Sequence, residues 1–157
     1  MSIEKVREYF KKYQMEERIK EFDVSSATVE LAAKALNCEE ERIAKTLSFH
    51  VNERVILIVA AGDVKIDNHK YKAQFQTKAK MLSFDEAPNL IGHAVGGVCP
   101  FAVNEGVDVY LDISLKRFDT VFPACGSANS AIELTPEELF RYSKADSWVD
   151  VCKLKEA

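Results

Sequence analysis

Histidine is scarce in this chain. The three present, His50, His69 and His93, stand in no H-x-x-x-H or H-E-x-x-H relation, so a catalytic metal has no support in the sequence. Cys38, Cys99, Cys125 and Cys152 form no C-x-x-C pair and have no companion histidine at ligand spacing, which argues against structural zinc. Neither a metal nor a cofactor is expected. No apolar run approaches the roughly 20 residues of a membrane span, and the N-terminal residues lack the apolar stretch of an export signal. The expected setting is therefore the cytoplasm, with reduced thiols and no membrane contact. Excess positive charge is missing too: the net charge of −4 argues against a broad nucleic-acid-binding surface. The Gly-Lys-Ser/Thr of a phosphate-binding loop is absent.

What remains is ordinary globular material, 47% hydrophobic and 29% charged over 157 residues. That length fits a single domain, 1–157, large enough to bury a core without cross-links. Glycine is sparse but concentrated. Three of the six glycines fall within Gly92-His93-Ala94-Val95-Gly96-Gly97-Val98-Cys99-Pro100-Phe101. Glycine lets a ligand approach the main chain, and Pro100 pushes Cys99 toward an extended conformation. Such a loop is able to aim several N–H groups at one anionic oxygen; a helix end followed by a plain turn is the alternative.

Lys45 is the second unusual feature. In Ile43-Ala44-Lys45-Thr46-Leu47-Ser48-Phe49-His50-Val51 the alternation is that of a half-buried strand, and Lys45 shares a face with Ile43, Leu47, Phe49 and Val51. A lysine on a core face is costly unless it snorkels to water, loses its proton or meets an anion. Further on, Lys65, Lys70, Lys72, Lys78 and Lys80 stand against Asp67 alone, with Tyr71 and Phe75 between them. The stretch reads either as a phosphate contact with aromatic support or as a solvated helix face.

The periodicity predicts helices over 2–13, from a Ser25 or Ser26 cap through Leu36, over 67–76, from the Ser83–Glu86 capping box to Gly92, and from Thr135 to Tyr142. Strands are expected at 43–51, 55–61, 107–113, 120–124, 132–134 and 147–152, with a short segment at 19–22. Hairpin-like strands mixed with helices, without regular βαβα alternation, favour a mixed α/β or α+β domain.

An ordered set of pieces resembles the YbaK/prolyl-tRNA-editing family of aminoacyl-tRNA deacylases. These are the alanine-rich stretch Val29–Leu36, Lys45-Thr46, the loop Gly92-x-x-x-Gly96-Gly97-x-x-Pro100-Phe101, Cys125-Gly126-Ser127 and Ile132-Glu133-Leu134-Thr135-Pro136-Glu137-Glu138-Leu139. The resemblance implies a mixed, mostly antiparallel sheet flanked by helices. It also implies metal-independent hydrolysis of the ester on a mischarged tRNA, most often the proline tRNA, with prolyl-tRNA synthetase as a partner. It makes Lys45 the central polar residue, with Gly96, Gly97 and Val98 as amide donors. Val29, Ala32, Ala33, Thr46, Gly92, His93, Pro100, Gly126 and Ser127 become candidate substrate contacts around the aminoacylated 3′ end. The five lysines 65–80 would hold the tRNA backbone, and the small pocket residues suit alanine, cysteine or serine. Ala128-Asn129-Ser130 departs from the further glycine that relatives often carry there.

Three other readings stand beside this one. Cys99 with His93 six residues before it suggests a cysteine-nucleophile hydrolase. A non-catalytic tRNA-binding or synthetase-associated module would use the lysines alone, and an interaction domain would have kept the fold without a working pocket.

Overall fold

The computed structural model describes residues 2–93 and 96–155. Its organising element is β3 (Arg54–Ala61), where the run Val55–Ala61 is nearly all apolar and Ile56 to Ala61 are buried. A strand of this composition needs cover on both faces. On one side β3 forms its longest ladder, antiparallel, with β2 (Ile43–Val51); on the other it pairs in parallel with β5 (Asp108–Asp112). β6 (Phe122–Pro123) and β8 (Ser147–Val149) complete a five-stranded sheet in the order β6-β2-β3-β5-β8. Two antiparallel pairs flank it: β1 (Ile19–Glu21) with β7 (Ser130–Ile132), and β4 (Val64–Ile66) with β9 (Cys152–Leu154). The protein is a mixed α/β fold.

Helices close the layers. α1 (Ser2–Lys11) sets Phe10 edge-on against Phe101, with ring centroids 4.8 Å apart. α3 (Asn68–Phe75), capped by the Asp67 carboxylate, buries Tyr71 against Phe49 at 5.1 Å and packs Phe75 on Tyr110 at 5.2 Å. α5 (Pro136–Tyr142) opens on the expected box, Thr135 accepting from the Glu138 N–H while Glu138 accepts from that of Thr135.

Four expectations are corrected. α2 (Val29–Leu36) is capped by Thr28, not by Ser25 or Ser26: the extended backbone of Thr28 lets its hydroxyl accept from Leu31 N–H at 3.1 Å. The Ser83–Glu86 box forms both of its bonds, yet the helix after it, α4 (Ala87–Leu90), has only four residues. The single strand expected over 147–152 is split between β8 and β9. Buried Asp112 takes the Val151 N–H at 3.0 Å, which carries the chain from one sheet to the next. β4, too short to show alternation, was not expected.

Candidate active site

The site is built where the outer edge of β2 is left open. β6 pairs only with Ile43 and Ala44. Farther along, Leu82 N–H donates to the Ser48 carbonyl at 3.2 Å, His50 N–H donates to the Lys80 carbonyl at 2.8 Å, and Phe49 bridges to Met81. Between these covers, Lys45–Leu47 has no strand partner on that side among the described residues. A cavity of about 400 Å³ lies there. Backbone groups alternate in direction along a strand, so Thr46 turns the same way as Ser48 and His50, outward from β3.

The segment before α2 supplies one wall, Ser26, Ala27 and Thr28, continued by Val29 and Ala32. Phe122, Ala124, Ser130, Ala131, Leu82, Gly96 and Val98 line it too; Met81 and Phe84 border it while staying exposed, which puts them on its rim. The surface is mostly apolar and small-featured, with a few hydroxyls. Two of them, Ser26 Oγ and Thr46 Oγ1, are buried and have no hydrogen-bond partner. A buried hydroxyl without a partner is costly, and both residues border the cavity. Ser130 Oγ is already engaged, 2.7 Å from Ser127 Oγ, which itself donates to Asn129 Oδ1 at 2.9 Å.

Lys45 contributes to the lining, but its ammonium donates to the Val64 carbonyl on β4. Burial pushes its pKa down to about 8, the Lys155 ammonium adds to the effect, and Asp63 opposes it. The lysine expected to meet an anion therefore rests on a carbonyl dipole and is held near the point of losing its proton.

Gly96 borders the cavity with φ of +96°, a conformation that other residues adopt only under strain. Ala94 and Val95 of the same loop lie outside the described residues. Gly97 sits behind the lining against Gly126 and Ser127. Ala33 belongs to a small apolar cluster with Ala32, Ile43 and Phe122. Gly92, near Lys5 and Asn104, and buried Pro100 are not among the lining residues.

His93 is buried away from the cavity. Its Nε2 lies 2.7 Å from the Phe101 carbonyl, which accepts only, so Nε2 carries the proton, and buried Nδ1 is left without a partner. The nucleophile reading of Cys99 fails on the same geometry. The thiol is fully buried, pushed up to about 12 by that burial, and 3.6 Å from a ring nitrogen that already bears a proton.

The five lysines separate. Lys70 binds Asp150 at 3.0 Å and the Cys152 carbonyl at 3.1 Å. Lys65 on β4 and Lys72 on α3 are exposed, and none of the five lines the cavity. Lys78 and Lys80, also exposed, lie on the segment that becomes the rim. Sequence reasoning did not find Met81 and Phe84 as rim residues or Ser26 as a pocket hydroxyl. The placement of all three depends on which segments cover the β2 edge.

Residues 23–142 match the description of an aminoacyl-tRNA editing domain. The chain belongs to that family. The chain is 55% identical over 154 residues to the uncharacterized protein YwhH of Bacillus subtilis (strain 168), covering 98% of both chains. It is 23% identical over 121 residues to a proline–tRNA ligase of Bacillus cereus (strain AH820), covering 74% of this chain and 21% of the ligase. Among solved structures, the "Crystal structure of a putative trans-editing enzyme for prolyl tRNA synthetase" superposes with a TM-score of 0.85 at 27% identity, covering 99% of this chain and 98% of that one. A solved hypothetical protein superposes with a TM-score of 0.84 at 28% identity over 95% of this chain and 99% of its own. Among the described residues of this editing domain, no helix is long and apolar enough to cross a membrane.

Proposed function

We propose that this domain is a trans-acting aminoacyl-tRNA deacylase. Its substrate in this reading is the proline tRNA carrying a small non-cognate amino acid, alanine or cysteine, as released by prolyl-tRNA synthetase. The observation that carries the reading is the cavity of about 400 Å³ at an open strand edge, where Lys45, Ser26 and Thr46 stand among small apolar residues beside Gly96 and Val98. That volume suits an aminoacyl group and part of a ribose, and a few convergent polar groups in an apolar cavity are the usual form of a binding site.

In the proposed reaction water attacks the ester carbonyl carbon, and the electron pair moves onto the carbonyl oxygen. Collapse of the intermediate breaks the bond to the ribose oxygen, which leaves with a proton, giving free amino acid and tRNA. Among the described residues no aspartate, glutamate or histidine lines the cavity, so in this scheme the ribose 2′-hydroxyl of the substrate orients the water. Backbone N–H groups of the Gly96–Val98 turn stabilise the oxyanion, a single donor of this kind being worth about 3–4 kcal/mol. Lys45, released from Val64, adds positive charge. No metal or cofactor enters the scheme.

The test is release of labelled amino acid from tRNAs charged with alanine, cysteine, serine and proline, with wild type and Lys45→Ala side by side. Release from alanyl- or cysteinyl-tRNA of the proline type, lost in the variant, is the expected result. Binding of every charged tRNA with no release above background assigns a tRNA-binding module instead.

A further inference from the structure

Phe84 is the most exposed large apolar side chain among the described residues, at 71%, and Met81 is exposed as well, at 57%. Both border the cavity mouth. Isolated exposed apolar residues are ordinary, but a phenyl ring and a thioether on the rim of the same cavity offer a surface suited to a flat apolar partner.

Charge along the same segment is polarised. Lys78 and Lys80 precede Met81, whereas Asp85 and Glu86 follow Phe84. Glu86 is bound to the His50 ring at 3.1 Å and to the Ser83 N–H at 2.9 Å, which fixes the end of the rim on β2. The rim is also anchored through the contacts of Lys80 and Leu82 with β2. The platform is thus held in place before any ligand arrives.

We propose that Phe84 and Met81 form a stacking platform for the terminal base of a single-stranded RNA 3′ end, and that the strand leaves over Lys80 and Lys78. The inference rests on the reading that the cavity takes the 3′ end, and it deepens that reading by assigning where the base and the preceding phosphates lie. Aromatic stacking tolerates any base, while the lysines supply a backbone contact without sequence preference. The acidic end of the rim repels phosphate, which gives the strand one exit. Lys65, Lys70 and Lys72 are not part of this path.

The test uses uncharged RNA, so it requires no hydrolysis. Binding of an acceptor-stem hairpin ending in CCA is compared with the same hairpin whose 3′-terminal nucleotide is abasic, by fluorescence anisotropy. Wild type is expected to prefer the complete end by about tenfold. Phe84→Ala removes the preference and Phe84→Tyr keeps it. Replacing Lys78 and Lys80 by alanine lowers the slope of log affinity against log salt by about 0.7 for each lysine. A preference that survives Phe84→Ala, or no preference in wild type, overturns the platform. If Phe84-dependent preference is found but no charged tRNA is hydrolysed, the platform stands and the deacylase reading falls.

Discussion

Gly97 lies so close to Gly126 that a Cβ added at 97 would be 2.8 Å from the Gly126 carbonyl carbon, and equally near the Ser127 nitrogen. This contact joins the glycine turn at the cavity to the Cys125–Ser127 loop, so a side chain at 97 would force the two apart. Gly96 differs: its Cβ would meet only Ala27 and Ala128, at 3.8 Å, while its φ of +96° is the constraint. One glycine is required for space and the next for conformation.

Gly97→Ala is therefore expected to push the two backbones apart. Overpacking of this kind costs about 1–3 kcal/mol, measurable as a lower denaturant midpoint at unchanged slope. Gly96→Ala is expected to cost about 1 kcal/mol through backbone strain alone. Deacylation should fall more in Gly97→Ala, because displacement of the turn misplaces its amides. Equal stability of Gly97→Ala and wild type would remove the close contact.

Lys45 gives a pH dependence with a definite sign. Its pKa is about 8 in the folded chain, against an ordinary lysine value near 10.4 when unfolded. Between those values the unfolded state binds more protons, so this residue makes stability rise with pH from about 8 to about 10.4. Below pH 8 the buried charge is a standing cost. Lys45→Met should stabilise by on the order of 1 kcal/mol at pH 7 and by less at pH 10. If the ammonium assists the reaction, the enzyme-dependent rate above background hydrolysis declines through pH 8. A flat rate from pH 7 to 9 would show that the charge on Lys45 is not used.

Much of the fold was legible because its signals are local. The β2 and β3 spans follow from alternation and from a continuous apolar run, and the α5 box from Thr135 and Glu138. Lys45 stood out because a charge on a core face is a contradiction visible in the sequence. Its actual partner was not visible, since Val64 belongs to a three-residue strand fixed only by pairing with β9. The cavity was legible in Val29, Ala32, Thr46, Gly96 and Val98, which line it. The rim was not, because Met81 and Phe84 acquire their place from two backbone bonds to β2 rather than from any pattern of their own. The rival reading of Cys99 with His93 falls for the converse reason: six residues apart in the chain, they are buried together at the Phe101 carbonyl and neither lines the cavity.

Thr46→Val tests the pocket hydroxyl without disturbing shape. Thr46 Oγ1 is buried and unpartnered, so removing it should leave stability unchanged or raise it by up to about 1 kcal/mol. A hydroxyl that meets the substrate is worth about 1 kcal/mol, so kcat/KM should fall about fivefold while Thr46→Ser keeps most of the activity. Loss of stability in Thr46→Val with activity intact would assign Oγ1 a structural partner.

The cysteines separate by burial, and thiol chemistry checks the placement. Cys38 is partly exposed, whereas Cys99, Cys125 and Cys152 are buried. Burial also raises the pKa of each of these thiols, so little thiolate forms at neutral pH. An alkylating reagent should label Cys38 slowly in the native chain and the other three only on unfolding, read by mass spectrometry. Cys99→Ala should lower stability by about 1–2 kcal/mol through the small void it leaves. Turnover should stay within about twofold, because the His93 Nε2 proton is already given to Phe101 and the ring has no free base facing the sulfur. Abolished turnover in Cys99→Ala at an unchanged denaturant midpoint would restore the nucleophile that this geometry rejects.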